Sequence, residues 1–324
     1  MQETQDLKKQ KTAPNPDKVT KSTDNLNIDQ EKKKSKAKHI AYQVFIYIFL
    51  TIVAIGAFLP FYWMIITSLK PEEEFRQTIP TFFPHTMMWK NYSFIITQGN
   101  KGLFGTVLVN TLVVGIISTL LSLVIIILTA YAFAKMDFKG KELLFSILLA
   151  TMMIPGELYA TTNYITVGKS GLGWNDTFIV LIIPFLVSVY YIYLLRNNFK
   201  QIPDSLYQAA KVDGTSDMGF LVKVMIPLTA PTLISVTLLK FIGTWNSYIW
   251  PQLVNKKEEW RLISNWMQGT FNDPDGILAG ISYNDGMTTL KMAAACMVSA
   301  PLFVLFICFR KYIMRGVSRS GTKG

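Results

Sequence analysis

The chain carries few of the side chains with which proteins perform catalysis or bind metals. Its two cysteines, Cys296 and Cys308, exclude a disulfide scaffold and a cysteine-based zinc site, and we expect them to be apolar packing residues. Its two histidines, His39 and His85, leave little scope for a metal centre or a catalytic triad. Motifs for a nucleophile elbow, a zinc-binding helix and a dinucleotide turn are absent from the sequence. We therefore expect a protein that is not an enzyme and binds no metal.

One short segment resembles a nucleotide-binding motif but lacks a residue that the motif requires. Gly168-Lys169-Ser170 matches the end of a Walker A loop, which has another glycine five residues before its last one. That position is Asn163, and no strand-like segment precedes it. If ATP drives this protein, we expect another chain to bind and hydrolyse it.

A polar stripe within an apolar stretch could contact a solute. Its members are spaced so that they share one face of a helix: Thr237, Lys240, Thr244 and Ser247. A lysine inside a membrane span costs about 2.5–3.5 kcal/mol on insertion scales, so Lys240 should face a cavity or a partner. We predict that it pairs with Glu157, which follows the helix-breaking Pro155-Gly156.

Aromatic residues beside the stripe would suit a sugar. Phe241, Trp245 and Tyr248 form the adjoining face, and Asn246 lies among them. Rings cover the C–H faces of a sugar, while hydroxyls and amides bond to its hydroxyls. The alternative is that the rings pack between helices or lie at the membrane interface. The same two interpretations apply to Tyr190, Tyr191 and Tyr193. The candidate solute-pathway residues are Glu157, Lys240, Thr244, Trp245, Asn246 and Tyr248.

Composition places these residues in a membrane. Half of the 324 residues are hydrophobic, only 16% are charged, and the mean hydropathy is +0.30. Soluble domains have roughly 25% charged residues, so the charges here are too few to cover a surface that faces water. A spanning helix needs about 20 apolar residues. The sequence predicts an all-α integral membrane protein with six transmembrane helices, at 42–67, 106–134, 143–165, 177–196, 228–250 and 292–313.

Basic residues predict the orientation of these helices, because cytoplasmic loops are enriched in lysine and arginine. The short loop 135–142 holds three lysines, and the loop 197–227 holds three more. The C-terminal tail, 314–324, is also basic. On the opposite side, 68–105 holds four basic residues over a much longer stretch than 135–142, 166–176 holds only Lys169, and 251–291 holds four. Both termini are therefore expected in the cytoplasm.

The N-terminal arm, residues 1–40, has its own composition. Ten lysines and six acidic residues give it a net charge of +4, within +11 for the whole chain. It has few large apolar residues, which predicts disorder. Its final lysines, within 32–38, suit anionic lipid rather than nucleic acid. The first apolar run begins after residue 40 and is long, which indicates an uncleaved anchor rather than a signal peptide.

The other five spans predict a core domain, 106–313, separated from the first span by the external segment 68–105. Within this core, the loop 197–227 should contain two short helices. Pro203 suits the first position of a helix and Asp204 favours its positive end. The first helix should have one apolar face, made of Leu206, Ala209 and Ala210.

Gly214 should end this first helix, because glycine readily adopts the left-handed conformation. Thr215 or Ser216 should cap the second helix. The small alanines would let another surface approach the backbone closely. The alternative is a helical hairpin that packs only on its own membrane domain.

The loop resembles the EAA loop of ABC importer permeases. That motif reads Glu-Ala-Ala, three residues, Gly, nine residues, then Ile-x-Leu-Pro. The chain has Gln208-Ala209-Ala210, Gly214 and Val224-Met225-Ile226-Pro227 at the same spacing, with Gln208 in place of the glutamate. Other segments are similar to the carbohydrate (maltose-transporter-type) subgroup: Thr67-Ser68-Leu69-Lys70-Pro71, Asn91-Tyr92, Asn110-Thr111, Ala130-Tyr131-Ala132-Phe133, Trp245-Asn246 and the tail from Arg315 to Gly324.

The resemblance implies a type I ABC importer transmembrane domain, in which this loop forms a coupling helix that docks on an ATPase. The residues implied in that contact are Leu206, Tyr207, Gln208, Ala209, Ala210, Asp213, Gly214 and Pro227. The implied partners are a second homologous permease, an ATPase dimer that binds the ATP, and an extracytoplasmic solute-binding protein. The implied substrate is a sugar, carried across the bacterial cell membrane without a cofactor of the chain's own. The residues alone leave a proton-coupled secondary transporter, using Glu157 and Lys240, as the alternative.

Overall fold

A computed structural model describes residues 16–97, 102–168, 171–272 and 287–318. Within these ranges the regular backbone is helical, with no strand. The helices are α1 (Pro16–Ser68), α2 (Glu72–Phe75), α3 (Lys90–Thr97), α4 (Phe104–Lys135), α5 (Lys141–Ala150), α6 (Gly156–Val167), α7 (Phe178–Ile182), α8 (Val189–Lys200), α9 (Asp204–Val212), α10 (Asp217–Phe220), α11 (Ile226–Leu228), α12 (Ala230–Trp245), α13 (Ile249–Val254), α14 (Ile263–Asn272) and α15 (Met287–Ser318).

Three helices in the described ranges are long and apolar enough to cross a membrane. They are Lys38–Ser68 within α1, Phe104–Lys135, and Thr288–Tyr312 within α15. Three bent pairs bring the count to six if each pair is one span: Lys141–Met153 with Leu158–Val167, Phe178–Phe185 with Val189–Lys200, and Asp217–Leu228 with Ala230–Val254. The all-helical prediction is confirmed, although half of the expected spans are not straight.

The N-terminal arm differs from the prediction of disorder. From Pro16 onward the described backbone is helical and continues into the first span as α1. Low apolar content argues against tertiary packing, but it does not argue against a helix. No glycine or proline occurs between Pro16 and Gly56, and lysine, glutamate and glutamine favour helices. Residues 1–15 lie outside the described ranges.

Prolines account for the bends in the third and fourth spans. Pro155 precedes α6, and the two halves of the third span meet at 98°. The fourth span, expected as one helix over 177–196, bends by 45° after a short 3-10 turn, Ile183–Phe185, that contains Pro184. Proline lacks an N–H and its ring clashes with the preceding turn, so a helix rarely continues through it unchanged.

The last two spans also differ from their expected bounds. The fifth was expected over 228–250, but α12 starts at Ala230 after an 82° bend and ends at Trp245, before the separate helix α13. Pro227 and Pro231 flank the bend at Thr229, which explains its position. The final span was expected over 292–313, but α15 runs from Met287 to Ser318 and extends into the predicted tail.

The chain divides into two units, Met1–Trp63 and Met64–Gly324, and the contacts below lie in the second. Its centre is α4, which packs against α8, α12 and α14, while α12 also packs against α15. Gly115 permits the close crossing of α4 and α12, because a Cβ there would lie 2.8 Å from the Phe241 ring. One long helix therefore contacts most of the bundle.

Hydrogen bonds hold two connecting segments on this bundle. The Asn91 Nδ2 donates to the Ser68 carbonyl (2.8 Å), and Ser68 Oγ lies 2.7 Å from Tyr92 Oη. The Asn110 Nδ2 donates to the Glu259 carbonyl (2.7 Å), and Thr111 Oγ1 accepts from the Ile263 N–H (2.8 Å). The short motifs noted in the sequence thus fasten the segments that follow α1 and α13.

Candidate functional site

Helix α9 and the turn after it form the candidate contact surface, defined here as residues 204–214. The helix begins at Asp204, so Pro203 is the residue before the helix rather than its first residue. Gly214 has φ +73, and its N–H donates to the Lys211 carbonyl (3.0 Å). The next N–H, of Thr215, donates to the Ala210 carbonyl (2.8 Å). The left-handed glycine predicted to end the helix is therefore present.

The second short helix, α10, follows directly. Ser216 caps it, since its Oγ accepts from the Gly219 N–H at 3.1 Å, which settles the choice between Thr215 and Ser216. Residues Leu221–Met225 then form a π-helical turn that leads into α11, which contains Pro227. All the residues of the EAA-like motif lie in this α9–α11 segment.

The two faces of α9 differ from the prediction of one face made of Leu206, Ala209 and Ala210. Tyr207 and Ala210 pack against a buried cluster from α4, α8 and the α10 region, which includes Ile126, Leu195 and Phe220. Leu206 and Ala209 are instead exposed, together with Val212, whose side chain is 88% exposed. The rotation follows from Tyr207, whose large ring occupies the inner face.

Polar contacts fix Tyr207 and the helix end. Its Oη donates to Asp217 Oδ1 (2.6 Å), and this hydrogen bond, together with burial, raises the pKa of the Tyr207 phenol. Lys211 Nζ also contacts Asp217 (2.8 Å). The exposed face carries Gln208, Asp213 and Gly214, and a Cβ at Gly214 would have open space around it. The arrangement presents a small, partly apolar surface on a fixed support.

A second group lies where the fourth span is broken. Lys240 Nζ donates to the Phe185 carbonyl (2.6 Å), and Ser122 Oγ donates to the Leu186 carbonyl. These carbonyls follow the break at Pro184, where backbone groups inside a membrane need other partners. The Glu157 side chain lies outside the described part of the chain, so its pairing with Lys240 stays a prediction.

The other candidate pathway residues are divided between the surface and the core. Thr244 Oγ1 lies 3.3 Å from Ser118 Oγ, and Asn246 and Tyr248 are exposed beyond the end of α12. Ser247 also follows that end, so it does not continue the helical stripe. Trp245 is only 1% exposed, in a cluster with Trp266 and residues of α4 and α15. Burial favours the packing interpretation for Trp245.

The remaining aromatic and cysteine residues show the same division. Tyr190 and Tyr193 are exposed, whereas Tyr191 packs against the buried cluster beneath α9. Cys308 is exposed and lines an apolar groove between α4 and α15, unlike the packing position expected for it. Within the described residues, no group of His, Cys, Asp and Glu side chains could hold a metal.

Lys135 and Arg196 contribute to the basic charge of the predicted loops, but the sequence gives no sign of the partners that they and Glu142 have in the structure. In the structure Lys135 Nζ contacts Asp204 at the start of α9, and the Arg196 guanidinium makes two hydrogen bonds to Glu142 (2.7 and 2.9 Å). Periodicity contains no signal for such pairs, because their members are far apart in sequence.

Comparisons with known proteins agree with this architecture. The family described as "Binding-protein-dependent transport system inner membrane component" matches residues 122–319. The arabinooligosaccharides transport system permease protein AraQ of Halalkalibacterium halodurans is 29% identical and aligns with 84% of this chain and 93% of its own. The trehalose transport system permease protein SugB of Mycobacterium tuberculosis is 30% identical over 85% of this chain and 95% of its own.

A solved structure shows the same similarity in three dimensions. It is a bacterial ABC transporter involved in the import of the acidic polysaccharide alginate, and one of its chains superposes with a TM-score of 0.72. The identity is 27%, and the match covers 84% of this chain and 96% of that one. The resemblance to ABC importer permeases is confirmed: this chain belongs to the family of binding-protein-dependent transport system inner membrane components.

Proposed function

We propose that the chain is the membrane-spanning permease subunit of an ATP-driven importer for a sugar or oligosaccharide. The observation that carries the proposal is the surface formed by residues 204–214. Its exposed face bears small and apolar side chains, and its inner face packs on α4 and α8. Gly214, at positive φ, ends the helix. Such a surface transmits force from a partner to the bundle, because it is fixed beneath and accessible above.

The partners follow from the family. We propose a second homologous permease, two ATPase subunits that dock on residues 204–214, and an extracytoplasmic solute-binding protein. The chain needs no cofactor of its own in this arrangement, because the partner subunits bind the ATP, and it requires membrane lipid but no nucleic acid. A sugar substrate is supported by relatives named for arabinooligosaccharide and trehalose transport.

For the solute pathway we propose Lys240, Thr244, Asn246 and Tyr248, with Glu157 from the third span. An ammonium, a hydroxyl, an amide and an aromatic ring together supply the groups that orient a sugar. Trp245 belongs to the supporting core in this arrangement rather than to the surface that meets the solute.

Co-purification tests the proposed function directly. Isolation of the tagged chain in mild detergent should retain one homologous permease and an ATPase, and proteoliposomes of the complex should take up sugar only with ATP and the solute-binding protein. Uptake driven by a proton gradient, by the chain without any ATPase, would contradict the proposal and favour a secondary transporter.

A labelling experiment tests the orientation in a bacterial cell membrane with both termini in the cytoplasm. In a version without Cys296 and Cys308, single cysteines within 204–214 should resist impermeant thiol reagents in intact cells, whereas cysteines at 256–259 should react. Permeabilised cells provide the control, since both sets should then react. The reverse pattern in intact cells would contradict the orientation inferred from the basic residues.

A further inference from the structure

Lys135 ends α4 and joins it to the start of α9. Its side chain is 3% exposed, and Nζ donates to the Ile202 carbonyl (2.7 Å) and to Asp204 Oδ1 (2.5 Å). Ile202 and Asp204 flank Pro203, the residue before the helix. The buried Lys135 ammonium is thus hydrogen-bonded both to the backbone just before α9 and to the first side chain of that helix.

The pair is asymmetric in its exposure to solvent. The Asp204 side chain is 79% exposed, and its hydrogen bond with Lys135 lowers the pKa of the carboxyl, so Asp204 is ionised at neutral pH. Moving α9 away from α4 would return Asp204 to water at little cost. It would leave the Lys135 ammonium buried without acceptors, which is strongly unfavourable. The cost of separation therefore comes from the lysine.

A second set of contacts stiffens the same end of the bundle. The Arg196 guanidinium on α8 lies 3.8 Å from the centre of the Phe145 ring on α5 and donates through Nε to the Phe133 carbonyl (3.1 Å) on α4. Its two hydrogen bonds to Glu142 also reach α5. The helix that precedes α9 is therefore fixed to α4 and α5, and Lys135 extends this connection to α9.

We propose that Lys135 is a positioning residue that fastens the start of the coupling helix α9 to α4, so that movement of α9 is transmitted directly to α4. This rests on the proposed function, in which an ATPase moves α9. Because α4 packs against α8, α12 and α14, a displacement delivered at its end reaches the rest of the bundle. Without the lysine, the start of α9 would lose its polar attachment to α4, and the apolar packing of Tyr207 and Ala210 would remain.

The test uses the whole transporter, reconstituted with its ATPase and solute-binding protein, and measures sugar taken up per ATP hydrolysed. Lys135→Met should retain the ATPase and hydrolyse ATP within about twofold of the unmodified complex. We expect its uptake per ATP to fall about tenfold. Lys135→Arg should recover most of the uptake, since a guanidinium can donate to both acceptors.

Lys139→Met is the matched control, because it removes an exposed lysine from the neighbouring turn, and its uptake per ATP should be unchanged. Normal uptake per ATP in Lys135→Met would overturn the inference. A proportional loss of complex, hydrolysis and uptake would also overturn it, since that pattern indicates a purely structural role. If Lys135→Met does not assemble, the milder Lys135→Gln, which keeps an N–H donor, decides the question. Absence of an ATPase from the unmodified complex would instead refute the proposed function.

Discussion

Replacement of Gly214 by aspartate should reduce sugar uptake at least tenfold while the chain still inserts in the membrane. At φ +73, a residue with a Cβ costs roughly 1 kcal/mol or more. Apart from its two chain neighbours, no atom of the described residues lies within 4 Å of a Cβ at this position, so the added atoms have free space there. The bulk and the charge of the aspartate side chain would instead project from the surface on which we propose that the ATPase docks. The measurements are membrane level, ATPase retained on pull-down, and uptake.

Two variants separate strain from contact. Gly173 also has positive φ, +67, and open space around it, but it lies far from residues 204–214 in sequence and on the predicted opposite side of the membrane. Gly173→Asp imposes the same strain and should leave uptake close to normal. Gly214→Asn tolerates the left-handed conformation and adds bulk without charge, so its uptake should be intermediate. Normal uptake and normal ATPase retention in Gly214→Asp would contradict the coupling assignment.

Replacement of Trp245 by alanine should unfold the transporter rather than weaken its affinity for sugar. The indole is 1% exposed and packs with Trp266 and Leu290, so its removal should cost about 3–5 kcal/mol. Tyr248 is the matched contrast, because it lies three residues later and is 40% exposed. Tyr248→Ala should change stability by less than about 0.5 kcal/mol and lower uptake selectively. Thermal unfolding in detergent and uptake kinetics measure the two effects.

A milder substitution sharpens this comparison. Trp245 Nε1 is buried without a hydrogen-bond partner among the described residues. Trp245→Phe retains a ring and loses no hydrogen bond, so it should remain folded and nearly fully active. A folded Trp245→Ala transporter with weakened sugar affinity would return Trp245 to the solute pathway.

Local chemistry explains why the α9 region could be predicted from the sequence. A glycine after an apolar periodicity and a serine before the next helix determine conformation within a few residues, and both occur as expected at Gly214 and Ser216. The inner position of Tyr207 could not be predicted in this way. It depends on Phe220 and on other residues that reach the cluster from elsewhere in the chain.

Hydropathy predicts three spans that are continuous helices in the described ranges, but it gives no indication of the bends in the other three predicted spans. Pro184 carries the signal for the break in the fourth span, yet an apolar window averages over it. Ion pairs between distant residues cannot be predicted from local sequence patterns, because their members, such as Lys135 and Asp204, can be 69 residues apart. The N-terminal arm presents the reverse case, because the composition of residues 16–40 argues against tertiary packing but not against a helix.

The break in the fourth span has a consequence for how the chain is made. Alone, that span offers the lipid the free carbonyls of Phe185 and Leu186, and the fifth span offers the charge of Lys240. Each of these features opposes entry into the bilayer. The contact between Lys240 and Phe185 gives the ammonium an acceptor and that carbonyl a donor, and Ser122 bonds to the Leu186 carbonyl. Each segment should therefore insert poorly into the bilayer alone, whereas the two segments should insert well together. We therefore expect the fourth segment to insert stably only when the fifth segment is also present.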